Sequence, residues 1–285
     1  MRSNRFFTFG AFTALMIFVA GSASAQTTNY TWTGGGDGMT WSQPANWMTG
    51  IVPVNDGTTF QIFLGTGNPT ASVSPITIGV SDNIVLGDQI FGPEWGQTLN
   101  INGTVNAGFG FAPVGDTAGN TSVVNMYGNS SYTSADSIFI GDMFWFDGGP
   151  NVTINLYDNS QMTANYVALG GHLNIYGGTV TVNNTLLTGT STNGQWGSPL
   201  STDATRLINM AGGELVLAGD ATAQLNDMMT RGILEAYGGA GTISIDTSSS
   251  PGQTIVMAVP EPSTFALLGM GTLIGGLLVR RKSDS

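Results

Sequence analysis

Asn174-Ile175-Tyr176-Gly177-Gly178-Thr179-Val180 and Asn209-Met210-Ala211-Gly212-Gly213-Glu214-Leu215 share one pattern: Asn, apolar, any residue, Gly-Gly, any residue, apolar. Looser copies are Asn125-Met126-Tyr127-Gly128-Asn129 and Asn155-Leu156-Tyr157-Asp158-Asn159, and Asn100-Ile101-Asn102-Gly103-Thr104-Val105 is one residue shorter. A second pattern, an apolar triplet closed by Gly, alternates with the first. It reads Ile84-Val85-Leu86-Gly87-Asp88, Ala112-Pro113-Val114-Gly115-Asp116, Ile138-Phe139-Ile140-Gly141-Asp142, Val167-Ala168-Leu169-Gly170-Gly171 and Leu186-Leu187-Thr188-Gly189. The asparagines step by 25, 30, 19 and 35 residues and the closing glycines by 28, 26, 29 and 19.

The shared minimum of 19 fits one coil of a β-solenoid, and the longer steps place loop insertions at 143–151 and 190–205. Stacked repeats of this length bury each other's faces. Glycine suits the corners because it takes φ > 0 without steric cost. Asparagines stacked at one corner would form a side-chain amide ladder. The expected fold is all-β: a right-handed parallel β-helix of about five or six coils over residues 81–258. A β-sandwich is the alternative, since short strands with turn signals also fit it.

Upstream, Trp32-Thr33-Gly34-Gly35-Gly36-Asp37-Gly38 leads through Trp41-Ser42-Gln43-Pro44-Ala45-Asn46-Trp47 to Val52-Pro53. This run resembles the opening of many β-solenoid surface proteins. The first coil of a solenoid has an uncovered face, and three tryptophans are large enough to cover it. Residues 26–80 are therefore expected to cap the body, with sugar stacking as the rival role for the indoles.

Both termini read as export signals. Arg2 and Arg5 precede an apolar stretch from Phe6 to Ala20 and a small-residue site, Gly21-Ser22-Ala23-Ser24-Ala25. This is a secretory signal peptide, residues 1–25, with cleavage after Ala25 leaving Gln26 first. At the other end, Val259-Pro260-Glu261-Pro262-Ser263 is followed by an apolar helix over 265–279 and then Arg280-Arg281-Lys282. That run is 15 residues long, short of the roughly 20 that span a bilayer. Snorkelling of the basic residues and local thinning extend its reach.

The three-part tail, residues 259–285, resembles the PEP-CTERM sorting signal of Gram-negative bacteria. The resemblance implies that the tail is read and cleaved near Pro-Glu-Pro by a membrane protease of the exosortase type. It also implies a host that makes exopolysaccharide. The same domain carries the label ice-binding protein C-terminal domain, which names the tag and not a property of the body. The expected route runs through signal peptidase, transient residence in the inner membrane, and release to the cell surface or extracellular matrix.

Removing both signals exposes an unusual charge balance. Of 18 acidic residues only Glu261 and Asp284 lie outside 26–259, and of seven basic residues only Arg206 and Arg231 lie inside. The body thus holds sixteen acids against two bases, a net charge of −14, with no lysine. Nucleic-acid binding is excluded, because its affinity comes from Lys and Arg on phosphates. There is no cysteine, so export adds no disulfides.

The catalytic inventory is equally thin. His172 is the only histidine, read here as a solvated corner residue. Neither an ordinary zinc site nor a Cys–His pair is available. Two carboxylates suffice for glycoside hydrolysis, and Asp142 with Asp147 beside Phe144, Trp145 and Phe146 is the best constellation of that kind. No catalytic residue, metal ligand or cofactor is assigned. Calcium is the one ion the oxygen-rich corners leave open, and Gly34–Gly38 resembles a fragment of a calcium-binding repeat. The expected function is a non-enzymatic structural or adhesive protein of the cell surface or matrix. The alternatives are a glycan- or ice-binding module and a carbohydrate-active β-helix enzyme.

Overall fold

The computed structural model describes residues 28–53, 59–64, 75–86, 89–91, 98–108, 122–140, 152–188 and 206–261. In chain order the strands begin with β1 (Thr28–Trp32), β2 (Thr59–Leu64), β3 (Ile76–Ile78), β4 (Asn83–Leu86) and β5 (Gln89–Phe91). Next come β6 (Thr98–Ile101), β7 (Thr104–Ala107), β8 (Ser122–Met126), β9 (Ser131–Ser134), β10 (Ser137–Ile140), β11 (Val152–Leu156) and β12 (Gln161–Leu169). The last are β13 (His172–Ile175), β14 (Thr179–Leu187), β15 (Leu207–Met210), β16 (Glu214–Ala218), β17 (Leu234–Ala236), β18 (Gly241–Asp246) and β19 (Gln253–Pro260). One helix, α1 (Thr222–Thr230), separates β16 from β17.

The protein is all-β, and most of its pairing is parallel. A seven-stranded sheet runs β17-β15-β13-β11-β8-β6-β3, and a nine-stranded sheet runs β18-β19-β16-β14-β12-β9-β7-β4, with β10 joined to β12. From β3 to β17, apart from β5, the chain passes back and forth between these two sheets. A third sheet, β1-β2-β5, lies outside them. Between the named strands, antiparallel pairing is confined to β16–β19 and β18–β19. Both sheets of a sandwich of the immunoglobulin type would need it throughout.

Strand register follows the asparagines. Asn100 pairs with Asn125, Asn125 with Asn155, Asn155 with Asn174, and Asn174 with Asn209, across β6, β8, β11, β13 and β15. Their apolar neighbours form the buried side of the same strands: Leu99, Val124, Ile154, Leu173 and Ile208 on one row, Ile101, Met126, Leu156, Ile175 and Met210 on the next. A one-residue slip would turn both rows outward.

The amide ladder exists, but it stands within the strands and not at a corner. Asn125 Nδ2 donates to Asn100 Oδ1 at 3.0 Å, Asn155 Nδ2 to Asn125 Oδ1 at 2.9 Å, and Asn174 Nδ2 to Asn155 Oδ1 at 2.8 Å. At the corner itself, Asn159 Nδ2 reaches Asn129 Oδ1 at 3.3 Å. Backbone bonds carry the pairing around the turns, as in Tyr157 N to Met126 O at 3.0 Å and Gln161 N to Ser130 O at 2.9 Å. Gly178 sits at φ +71° so close to the preceding turn that a Cβ would overlap Ser160 O. Only glycine fits there on both counts.

The apolar triplets divide into two columns. Ile138, Val167 and Leu186 align, as do Phe139, Ala168 and Leu187. Ile84 instead pairs with Val105, in the column that continues to Tyr132, Met162, Val180 and Leu215. The sequence match of Ile84-Val85-Leu86 to the later triplets is therefore one of composition and not of position. The end of the body also departs from expectation. After β16 come α1, whose Leu225 and Met228 are buried, and β17, still parallel to β15, before the antiparallel β18–β19 hairpin closes the nine-stranded sheet.

Asn155 donates and accepts within the ladder, so Asn155→Ala removes two amide bonds. The expected loss is about 2 kcal/mol at roughly 1 kcal/mol per bond, read as a lower urea midpoint with an unchanged slope.

Candidate functional site

Four places in the chain carry chemistry: the aromatic opening, the lone histidine with the two arginines, the outward sheet faces, and the strand that leads into the tail.

Trp32, Trp41 and Trp47 are 2%, 1% and 3% exposed, which leaves no ring face for a sugar. Trp47 meets Trp41 edge-on at 4.8 Å and Trp32 at 5.1 Å between ring centroids. Its Nε1 donates to Trp41 O at 2.8 Å. The same segment lies against the end of the seven-stranded sheet, with Trp41 N donating to Thr77 O at 3.0 Å and Thr77 N to Met39 O at 2.7 Å.

His172 is the first residue of β13, in register between Thr153 and Leu207, and not part of a turn. The two arginines are committed to one carbonyl. Arg206 Nη1 donates to Thr188 O at 2.7 Å and Arg231 Nη2 to the same oxygen at 3.3 Å. Arg231 also pairs with Asp227 at 3.0 Å. They brace the end of β14 together, and the aromatic-acidic constellation Asp142 and Asp147 lies outside the described residues, as do Asp88 and Asp116.

The outward faces were harder to foresee. On the nine-stranded sheet, Thr104, Ser131, Gln161 and Thr179 form one row, and Asn106, Thr133, Thr163 and Thr181 form the next. Every one of these side chains is at least partly exposed. Thr179-x-Thr181 was visible in the sequence, but its partners stand 18 and 48 residues upstream and only register reveals them. Beside the asparagine ladder, Tyr127, Tyr157 and Tyr176 stack with centroids 5.0 and 5.1 Å apart and planes within 8° and 13°. Burial, then the neighbouring phenols Tyr127 and Tyr176, raise the Tyr157 pKa. Among the described residues neither face carries an Asp, Glu, Lys or Arg before Glu214 and Glu235 on the last strands.

The Gly34–Gly38 turn is built for N–H groups, not for a cation. Asp37 Oδ1 accepts from Met39 N at 2.8 Å, Thr40 N at 2.8 Å and Asn46 Nδ2 at 2.7 Å. Asn46, fully buried, accepts from Gly36 N at 2.9 Å and Gly38 N at 3.0 Å through Oδ1. Among the described residues no group of three or more His, Cys, Asp or Glu side chains is placed to hold a metal. The Thr40 side chain, then the Asn46 carboxamide and the N–H groups of Thr40 and Met39, hold the Asp37 carboxyl well below its ordinary range. A depressed folded-state pKa stabilises the fold above the unfolded value of 3.8 and loses that effect as pH falls below it. Asp37→Asn should therefore lower the Tm at about pH 7, and the gap to wild type should shrink progressively in circular-dichroism melts as pH falls from about 4 toward the depressed folded-state value.

Val259 and Pro260 end β19, and Glu261 follows as an exposed residue outside the strand. Ala23, Ala25, Gln26, Pro262, Ser263, the apolar segment 265–279, Arg280, Arg281 and Lys282 lie outside the described residues. Among the described residues no helix is long and apolar enough to cross a membrane. No curated protein and no solved structure matches the chain. Residues 258–282 match the PEP-CTERM protein-sorting motif, and with it the chain carries the mark of a secreted protein sorted through its C-terminal tag by an exosortase-type membrane protease.

Proposed function

We propose that this protein is a non-enzymatic structural or adhesive element of the cell surface or extracellular matrix, and that its parallel body is a β-solenoid. The observation that carries this reading is the in-register column Asn100–Asn125–Asn155–Asn174 with its stacked tyrosines. Side chains there spend their hydrogen bonds on each other, which suits a rigid scaffold. The two arginines, the cations an anionic substrate would need, are likewise engaged with Thr188 O. The Trp-rich segment against β3 serves as the cap, the tag delivers the body, and signal peptidase removes residues 1–25.

Replacing Pro260-Glu261-Pro262 by alanines is expected to leave uncleaved precursor in the membrane fraction. Wild-type processing and release in that variant would refute the sorting route.

A second reading, glycan binding, is favoured by the uncharged rows Thr104–Ser131–Gln161–Thr179 and Asn106–Thr133–Thr163–Thr181. Hydroxyls and amides repeat there at strand spacing, about 4.8 Å, and offer a neutral polyhydroxylated chain regular hydrogen-bond partners. Co-sedimentation with neutral exopolysaccharide should fall at least tenfold in Thr163→Glu, which places a carboxylate at the centre of the face. Equal binding by the two proteins would dismiss this face as the binding surface.

A further inference from the structure

The sorting motif begins inside folded structure. Its match starts at residue 258, whereas β19 extends from Gln253 to Pro260. One edge of this strand is paired over residues 253–256, where Gln253, Thr254, Ile255 and Val256 face Ala218, Leu217, Val216 and Leu215 of β16. Ile255 and Val256 are paired on the other edge too, with Asp246 and Ile245 of β18. On the other edge β18 holds it to its end, with Met257 opposite Ser244, Ala258 opposite Ile243, Val259 opposite Thr242 and Pro260 opposite Gly241. Thr254 and Val256 are fully buried. The Thr254 hydroxyl donates to Gly219 O at 2.7 Å and accepts from Ala221 N at 3.0 Å, which ties β19 to the start of α1.

A protease that reads an extended peptide must satisfy the backbone N–H and C=O groups of that peptide itself. In β19 these groups are engaged by β16 over 253–256 and by β18 over 255–260. A cut within 255–259 would require β19 to part from β18 first, and a cut within 253–256 would also draw Thr254 and Val256 out of the core. Glu261 is the first residue free of both demands.

We infer that β19 fixes the C-terminus of the mature protein: the processing cut falls on the C-terminal side of Pro260. The inference rests on the sorting reading and adds a position to it. In the hydrolytic step a peptide C–N bond beyond Pro260 breaks. Water supplies the hydroxyl of the new carboxyl group and a proton to the departing amine. The released body keeps the whole β18–β19 closure and loses every basic residue of the tail.

Two measurements decide it. The full chain is produced in a bacterium with its exosortase-type protease, and the mature form is weighed intact. A terminus at Pro260 or beyond is expected, and one at or before Val259 overturns the inference. Separately, the purified full-length chain in detergent is digested with proteinase K under native conditions. Trimming from the C-terminus should halt at Pro260 or beyond, and loss of 253–259 from folded protein would also overturn it. Adjacent residues of an antiparallel strand point their N–H groups to opposite sides, so Thr242→Pro with Ile243→Pro removes a donor to β19 whichever faces it. In that variant trimming past Pro260 should be at least tenfold faster, and an unchanged rate speaks against β19 as the barrier. A host that leaves the precursor uncut refutes the sorting reading alone, because the digest still tests the barrier.

Discussion

Like must stack on like in this body. Parallel pairing in register puts Asn100, Asn125, Asn155, Asn174 and Asn209 one above another at strand spacing, about 4.8 Å. Few side chains tolerate a copy of themselves that close. A carboxylate column would repel itself. A carboxamide carries both donor and acceptor, so Asn125, Asn155 and Asn174 each donate to the asparagine before, while Asn209 Oδ1 accepts from Gly238 N. Tyrosine rings do the equivalent with their faces. The composition follows from this constraint: charged residues make up 9% of the chain, and the described acids fall at turns, in α1 or on the closing strands. The body reaches a net charge of −14 without placing any acid within the stacked rows before Glu214 and Glu235.

A ladder of this kind has no natural end, and each end is dealt with differently. At β3 the chain returns through Met39–Trp41 to bond Thr77, backed by an indole cluster whose rings cover one another. Beside β16 the antiparallel β18–β19 hairpin takes the place of the next parallel strand, after β17 has ended the other sheet. Unpaired strand edges invite further strands, so both devices restrict growth of the sheet. The second also sets the tail apart from the body, because the sorting motif starts on the last folded strand.

Several elements were legible in the residues. The asparagines set the register that the structure adopts, even though their spacing varies from 19 to 35 residues. The all-β character followed from short β-branched runs between glycines. Other features were misread for a common reason. Ile84-Val85-Leu86 matches the later triplets in composition, yet strand pairing places it in another column. His172 sat next to glycines and was read as a corner residue, but β13 begins with it. The calcium-like Gly34–Gly38 turn has the right residue types, but its Asp37 oxygen faces N–H groups.

By itself the sequence determined the sorting signal and strand identity. A sorting tag, a column of asparagines and a charge-poor composition are carried by the residues themselves, so they survive without three-dimensional context. Only the tertiary structure decided which residues become neighbours across loops of unequal length. The threonine rows at 133, 163 and 181, the convergence of Arg206 and Arg231 on Thr188, and the clamping of Val259 and Pro260 by β18 all belong to that class. The reason is that strand pairing is chosen by cooperative burial over distant segments, and no local spacing encodes which copy will lie against which.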